Sequence, residues 1–526
     1  MLQNFPFYLG LLIVIVLLIM VANKIKVAYP ILLVLAGLII SFIPGVPVIN
    51  IQPELIFFIF LPPLLYEAAW KVSWKEMWKW RRIITSFAFI VVFLSALSVA
   101  LVANYFIPGF SLALGFVLGG IVSPPDAVSA GAILKFVKVP KTISSILEGE
   151  SLLNDASSLI IFRFAMIAVA TEQFIFSKAA YSFSWMIIGG VAIGLLIGWL
   201  FMKAHKYLPT DANTDIVLTL LTPYIIYLAA EEVHSSGVLA VVSGGLLLSN
   251  NRHRFLNSRS RLQGVNVWES FCFILNGLVF MLIGLDLPQI TKGLEEVSIS
   301  ISTAIGYGVL ITLVLIVSRL LSSYGAVVIT LIARNFITVA DRRNPGIKTP
   351  FILGWTGMRG VVSLAAALSI PVYLNNGNGF PQRNLILFIT FVVILLTLLI
   401  QGLTLPFFIK KIQFNNNDDT LSRDEIYNNI RQELAVYAVH YLKTNYNEEI
   451  ANNTSLQHLI LKWEQHSNVI DDESIGDDLK VIYLDLLNKQ RQWLIDKNKD
   501  DQTLDESIIR RQMHYLDIEE EKLRYL

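Results

Sequence analysis

The chain has 526 residues, 55% of them hydrophobic and only 15% charged, with a mean hydropathy of +0.61. That composition excludes an ordinary soluble enzyme, and a formal net charge of +1 gives no basic excess for nucleic acid. The chain reads as an all-α polytopic membrane protein.

The first apolar run, Phe7 to Val21, has the length of a signal-peptide core. No basic residue precedes it, and Lys24 and Lys26 follow it, so it reads as a first span with the N-terminus outside. Runs long enough to cross ~30 Å of hydrocarbon then recur. The expected spans are about thirteen: 6–22, 27–43, 54–69, 83–106, 110–132, 143–170, 184–204, 213–230, 234–249, 265–287, 298–333, 349–374 and 384–409. After Lys411 the character changes. Residues 1–411 carry 28 Lys+Arg and 17 Asp+Glu, whereas 412–526 carry 13 and 23. Stretches such as "DEIYNNIRQELAVYAVHYL" repeat apolar residues at three and four, which predicts a small helical domain over 412–526 behind a transmembrane domain over 1–411.

Alternate connections differ sharply in basic residues. One set (Lys24 and Lys26; "KVSWKEMWKWRR"; Lys135, Lys138 and Lys141; Lys203 and Lys206; "NRHRFLNSRSR"; Arg334, Arg342, Arg343 and Lys348; Lys410 and Lys411) holds 22 Lys and Arg, and the other holds 3, namely Lys178, Lys292 and Arg383. Basic loops face the cytoplasm, so the first set and the tail are expected there. "KVSWKEMWKWRR" reads as a basic, aromatic loop at the headgroup level. The Asn452 sequon lies on the cytoplasmic side, where glycosylation is not expected. The single Cys272 rules out an intrachain disulfide framework, and no His or Cys cluster suits a transition metal.

A charge at the bilayer centre costs at least ~2.5 kcal/mol on insertion scales, so ionisable residues inside spans mark function or a buried pair. They are Glu67, Asp126, Glu150, Asp155, Arg163, Arg319 and Arg359, with Glu269 and Asp286 near span ends. Arg163 and Arg319 read as partners in structural pairs. Two charged spans also carry helix breakers. "GGIVSPPDAVSAGA" sets Pro124 and Pro125 mid-span, which predicts a break over Ser123 to Asp126. "LGWTGMRGVVSLAAALSIP" surrounds Arg359 with Gly354, Gly357 and Gly360. Interrupted helices point to a carrier's midplane site, and their exposed ends carry partial charge, positive at N-termini and negative at C-termini. Asp126 is placed to neutralise the former and Arg359 the latter. In "FFIFLPPLLYEAAW", Pro62 and Pro63 are expected to loosen the third span just before Glu67.

The stretch "GESLLND" adds two carboxylates to one span. Ser151, Asp155 and Ser158 stand at i, i+4 and i+7 on one face, while Glu150 is turned about 140° from Asp155 by the 3.6-residue repeat. Asp155 with its hydroxyls looks like an oxygen-lined cation site. Glu150 looks like a partner for a buried arginine.

These motifs, "FLPPLLYEAAW", "SPPDAVSAGAI", "EGESLLNDASSLIIFR" and "TGMRGVVSLAAALSIP", resemble in order and spacing those of the cation/proton antiporter superfamily, in its sodium/proton exchanger branch that includes bacterial NhaP-type proteins. The resemblance covers roughly 6–411. It implies inverted repeats, a dimerisation domain beside a six-helix core, two crossed and unwound helices at the fifth and twelfth spans, and a homodimer. It implies that Asp155 binds cation or proton, that Asn154 marks an electroneutral type, and that Ser151, Glu67 and backbone near Pro125 complete the site with Asp126 close by. It further implies a buried Glu150–Arg359 ion pair. Pro125 stands where many relatives have Thr, so no side-chain ligand is expected there.

The activity so implied is exchange of a monovalent cation, Na+ first, with K+ or Li+ as alternatives, for H+ across a bacterial plasma membrane by alternating access, serving pH homeostasis. No cofactor is implied, and the partners are the ions, the bilayer and a second copy. A cation channel would need a ring of ligands along a pore. A membrane-embedded hydrolase would need Glu150 and Asp155 as a dyad, which their separation opposes.

Overall fold

Backbone groups in hydrocarbon have no water to bond, so apolar runs must close their own hydrogen bonds as helices. The computed structural model describes residues 5–44, 53–137, 139–171, 176–296, 299–333, 346–374, 378–412, 423–452, 454, 456–457, 460–461, 477–501 and 504–525. Among these, regular structure is helical, apart from one isolated bridge between Tyr373 and Gly379. Lys138, Arg334, Arg342 and Arg343, counted above for orientation, lie outside the described residues.

In chain order the helices are α1 (Phe5–Ile25), α2 (Tyr29–Ser41), α3 (Pro53–Lys71), α4 (Trp74–Thr85), a π-helical turn (Ser86–Val91), α5 (Val92–Phe106), α6 (Leu112–Val122), α7 (Ala127–Leu134) and α8 (Lys141–Thr171). They continue as α9 (Phe176–Tyr207), α10 (Ala212–Glu232), α11 (Gly237–Phe255), α12 (Ser258–Leu285), α13 (Leu287–Glu296), α14 (Ile301–Ala333), α15 (Lys348–Trp355), α16 (Val361–Leu368) and α17 (Arg383–Ile412). The remaining helices are α18 (Arg423–Asn445), α19 (Asn447–Asn452), α20 (Asp477–Asp500) and α21 (Glu506–Tyr525). Among the described residues, eight helices are long and apolar enough to cross a membrane, with α4, the π turn and α5 counted as one, and α2 and α6 are shorter apolar helices.

Two expectations change. "KVSWKEMWKWRR" is largely helix and not loop: Ser73 caps α4 by accepting from the Glu76 amide at 3.1 Å, and the helix runs on through the π turn into α5. The Ser73-x-x-Glu76 spacing is a capping signal that sequence reading passed over. α3 also runs unbroken through Pro62 and Pro63.

The chain divides into two units by its contacts, one formed by Met1–Ala204, Leu218–Asn251 and Trp268–Phe414, the other by His205–Val217, Arg252–Val267 and Asn415–Leu526. Within the first, small residues let helices approach closely. A Cβ on Gly115 of α6 would stand 2.6 Å from the Ala100 carbonyl of α5, and one on Gly190 of α9 would stand 2.7 Å from the Ser236 carbonyl that opens α11. Two groups of helices emerge in this unit. One joins α5, α6, α8, α14, α15 and α17 through polar links such as Ser98–Ser318 at 3.2 Å and Ser323 to the Pro350 carbonyl at 2.6 Å. The other joins α3, α9, α10, α11 and α12 through Gly190, Gly245 on Ala69, Tyr224 to the Ile59 carbonyl, and Trp268 to Thr219.

In the second unit, Ile430, Leu434 and Leu442 of α18 share a core with Leu486, Leu487 and Leu494 of α20 and Met513 and Leu516 of α21. The α11–α12 hairpin supplies arginines to this unit. Arg261 donates to Asp517 from Nε at 2.9 Å and from Nη2, and the same carboxylate also accepts from Arg491 at 3.1 Å. Ser258 donates to Glu520. On the other side of the hairpin, Asp215 accepts from Ser260 at 2.7 Å and pairs with His205 at 2.8 Å.

Candidate functional site

The site begins with two interruptions. Pro124 and Pro125 lack backbone donors, so α6 stops at Val122 and α7 starts only at Ala127. Asp126 sits at the start of α7 and accepts from the amides of Val128 at 3.1 Å and Ser129 at 3.2 Å, placing negative charge on a partly positive helix end. The second interruption lies between α15 and α16, over Thr356 to Gly360. There Arg359 is fully buried and donates from Nε to the Val122 carbonyl at 2.8 Å and from Nη2 to the Ser123 carbonyl at 3.4 Å, the freed carbonyls at the C-terminal end of α6. The two interruptions touch, since the Asp126 amide donates to the Met358 carbonyl at 2.7 Å.

α8 lies against this junction. Asn154, fully buried, donates from Nδ2 to the Pro125 carbonyl at 3.1 Å. Asp155 follows it, 8% exposed, near enough to Asp126 for the two carboxylates to interact electrostatically. Ser157 donates to the Ala88 carbonyl in the π turn, a helix irregularity often found at functional sites. Among the described residues, the buried oxygens Asn154 Oδ1 and Ser123 Oγ have no hydrogen-bond partner. Buried acceptors are normally paired, so such oxygens at a helix break suit a ligand that supplies positive charge or a donor. The donor set is oxygen only, fitting a hard cation or a proton, and no group of three or more His, Cys, Asp or Glu that could hold a metal occurs among the described residues.

The other expected residues fall as follows. Ser151 is half-buried on α8, and Ser158 uses its hydroxyl on the Asp155 backbone carbonyl at 3.0 Å. Glu67 is half-buried on α3, which packs on α8 and α16, and is paired with Lys71 one turn along its own helix. The Glu150–Arg359 pair is not formed. Glu150 accepts from Arg319 Nη1 at 2.8 Å and Nη2 at 2.9 Å, a bidentate pair with both side chains 1% exposed. The reason is geometric: Arg319 of α14 meets the two oxygens of Glu150 with its two terminal nitrogens, whereas Arg359 directs Nε and Nη2 to the α6 carbonyls and leaves Nη1 without a partner among the described residues. Sequence reading also missed Thr397 of α17, which accepts from the Arg359 amide at 3.2 Å, and Glu231 of α10, which accepts from Arg163 with both oxygens at 2.9 and 2.8 Å.

Helices interrupted around buried charges are the pattern of membrane carriers. The chain belongs to the sodium/hydrogen exchanger family, whose transmembrane description matches residues 10–411. It is 34% identical over 392 residues to a sodium, potassium, lithium and rubidium/H+ antiporter of Bacillus pumilus, covering 73% of this chain and 58% of that protein. The chain thus spans little more than half the length of that relative. It is 34% identical over 393 residues to the Na+/H+ antiporter ApNhaP of Aphanothece halophytica, covering 74% of this chain and 70% of the relative. The fold is similar to that of the sodium proton antiporter MjNhaP1 from Methanocaldococcus jannaschii, with a TM-score of 0.61 over 78% of this chain and 99% of that one at 18% identity. These relatives are named as antiporters and not as enzymes.

Proposed function

We propose that this chain exchanges a monovalent cation for a proton across the cytoplasmic membrane, with Asp155 as the carboxylate that binds one or the other. The observation that carries the reading is the placement of Asp155 beside two touching helix interruptions, next to an asparagine fixed on the Pro125 carbonyl. An ionised, empty carboxylate is costly to carry through the membrane interior, so only loaded forms cross, and competition alone couples the two fluxes. Asp126 and backbone near Pro125 complete the site, with Ser151 and Glu67 as further ligands. Glu67 must leave Lys71 to take part. One charge replaces one charge, so exchange is electroneutral, and Na+ is the first candidate cargo.

A broader cargo that includes K+ and Li+ is the second reading, favoured by the name of the Bacillus pumilus relative. A hydrolytic dyad is disfavoured because both oxygens of Glu150 are held by Arg319. The chain is read as thirteen spans with inverted repeats and crossed interrupted helices, N-terminus outside, residues 412–526 as a cytoplasmic domain, working as a homodimer in pH homeostasis. Proton movement in proteoliposomes on adding Na+, K+ or Li+, with and without an imposed voltage, tests this. Cation-driven proton flux insensitive to voltage is expected. No flux with any of the three would overturn the proposal.

A further inference from the structure

Two arginine–glutamate pairs anchor α8, and they differ in kind. Glu150–Arg319 is buried within one helix group, with both side chains 1% exposed. Arg163–Glu231 joins that group to the other, and its side chains are 42% and 30% exposed. Glu231 stands at the end of α10 and also accepts from the Gly237 amide at 3.3 Å, so the pair grips the turn between α10 and α11. Tyr227 lies within electrostatic reach of both charges. Arg163 is two turns beyond Asp155 on the same helix, about 12 Å along its axis by the 1.5 Å rise, on the side away from the basic connections.

We infer that Arg163–Glu231 is a latch, closed in this structure, which ties the Asp155 helix to the α10–α11 turn and opens when the site is exposed on that side. The inference rests on the alternating-access reading above. A buried pair between moving groups would be too costly to break in each cycle. Glu231 lies just past the expected end of its span, so the pair sits at the water boundary, where it is weak and screened by salt and water can replace it at little cost, yet it suffices to bias two states that differ by a few-fold in population. Glu150–Arg319, inside one group, has the opposite role and stays closed throughout.

Hydrogen exchange followed by mass spectrometry on the full chain in nanodiscs reads the latch directly. Wild type, Glu231→Gln, Arg163→Gln and the reversed double variant R163E/E231R are compared at low salt. Either single variant should raise exchange several-fold over 156–171 and 226–240 and leave 141–150 and the second unit unchanged, while the reversed pair should return exchange toward wild type. Wild type at high salt should move in the same direction as the singles. Unchanged exchange in a folded single variant, or an even rise across the chain, would overturn the latch. Should a single variant fail to insert, Arg163→Lys, which keeps the charge and loses the two-pronged contact, gives the same reading at smaller size. The measurement does not require transport, so failure of the antiport proposal and failure of the latch are separable.

Discussion

Asp126 and Arg359 serve opposite ends of the same broken helix: Asp126 caps the start of α7, and Arg359 holds the carbonyls that end α6. A backbone bond from Asp126 to Met358, the residue before Arg359, locks the two devices together. The junction thus compensates its exposed helix ends with full charges in a place where water cannot do so.

Asp155→Asn keeps the shape and loses the exchangeable charge. The variant is expected to fold and to be inactive in cation-driven proton flux. Near-normal flux in proteoliposomes would remove Asp155 from the central role. Asn154→Asp adds a carboxylate beside the Pro125 carbonyl, and its exchange is expected to become voltage-sensitive.

Gly360→Ala tests the junction itself. A Cβ there would overlap Asp126 Oδ2 and lie 2.7 Å from its Cγ. Either the cap on α7 or the approach of the two interruptions must give way. A loss of ~1–3 kcal/mol is expected from forced overpacking, with reduced transport. Thermal unfolding in one detergent measures the first part, and wild-type stability would refute the close approach.

For the buried pair, breaking Glu150–Arg319 by Glu150→Gln or Arg319→Gln alone should cost ~3–5 kcal/mol, and the double replacement should recover much of it. A parallel cycle of Glu150→Gln with Arg359→Gln should show weaker coupling, since Arg359 holds carbonyls. Equal coupling in the two cycles would return Glu150 to Arg359.

The second unit carries a pH dependence. Burial, aided by the charges of Arg252, Arg261, Arg491 and Arg510, pushes the His253 imidazole down to about 2. In the unfolded chain the group protonates near its ordinary ~6.5. Because the folded value is the lower one, the unfolded state binds the extra proton as pH falls below that ordinary value, and stability is lost progressively toward acid. Protease cleavage within 423–525 should therefore accelerate between about pH 6 and 5, and His253→Gln should flatten that rise. An unchanged pH profile in the variant would assign the dependence to other groups.

Asp517 should matter to the same unit. Asp517→Asn leaves Arg261 and Arg491 without their shared charge. Faster cleavage of α20 and α21 is expected at neutral pH. Resistance equal to wild type would show that the apolar core alone holds the helices.

The breaks at 123–126 and 356–360 were legible because their causes are local: paired prolines at 124 and 125, and glycines at 354, 357 and 360, act on their own turns, although the pair at 62 and 63 left α3 unbroken. The caps followed, since helix ends want charges of known sign. Pairings were not legible. Glu150 meets Arg319 across 169 residues, and the two come together because α8 and α14 both pack on α5 and the π turn, which no local pattern reveals. Glu231 was passed over because it falls beyond the expected end of its span. The tail read as helical from its periodicity, but no period reveals that Asp517 would find Arg261, 256 residues earlier.

The discontinuity of the second unit sets an order of assembly. Residues 205–217 and 252–267 leave the ribosome long before 415–526, and their arginines and Asp215 are made ahead of the Asp517 and Glu520 carboxylates that complete the unit. Until Asp517 has been made, Arg261 lacks the carboxylate it meets in the folded unit. Completion of this unit therefore waits on residues 415–526, so a chain stopped before them would present an unfinished basic hairpin to the cell's proteases.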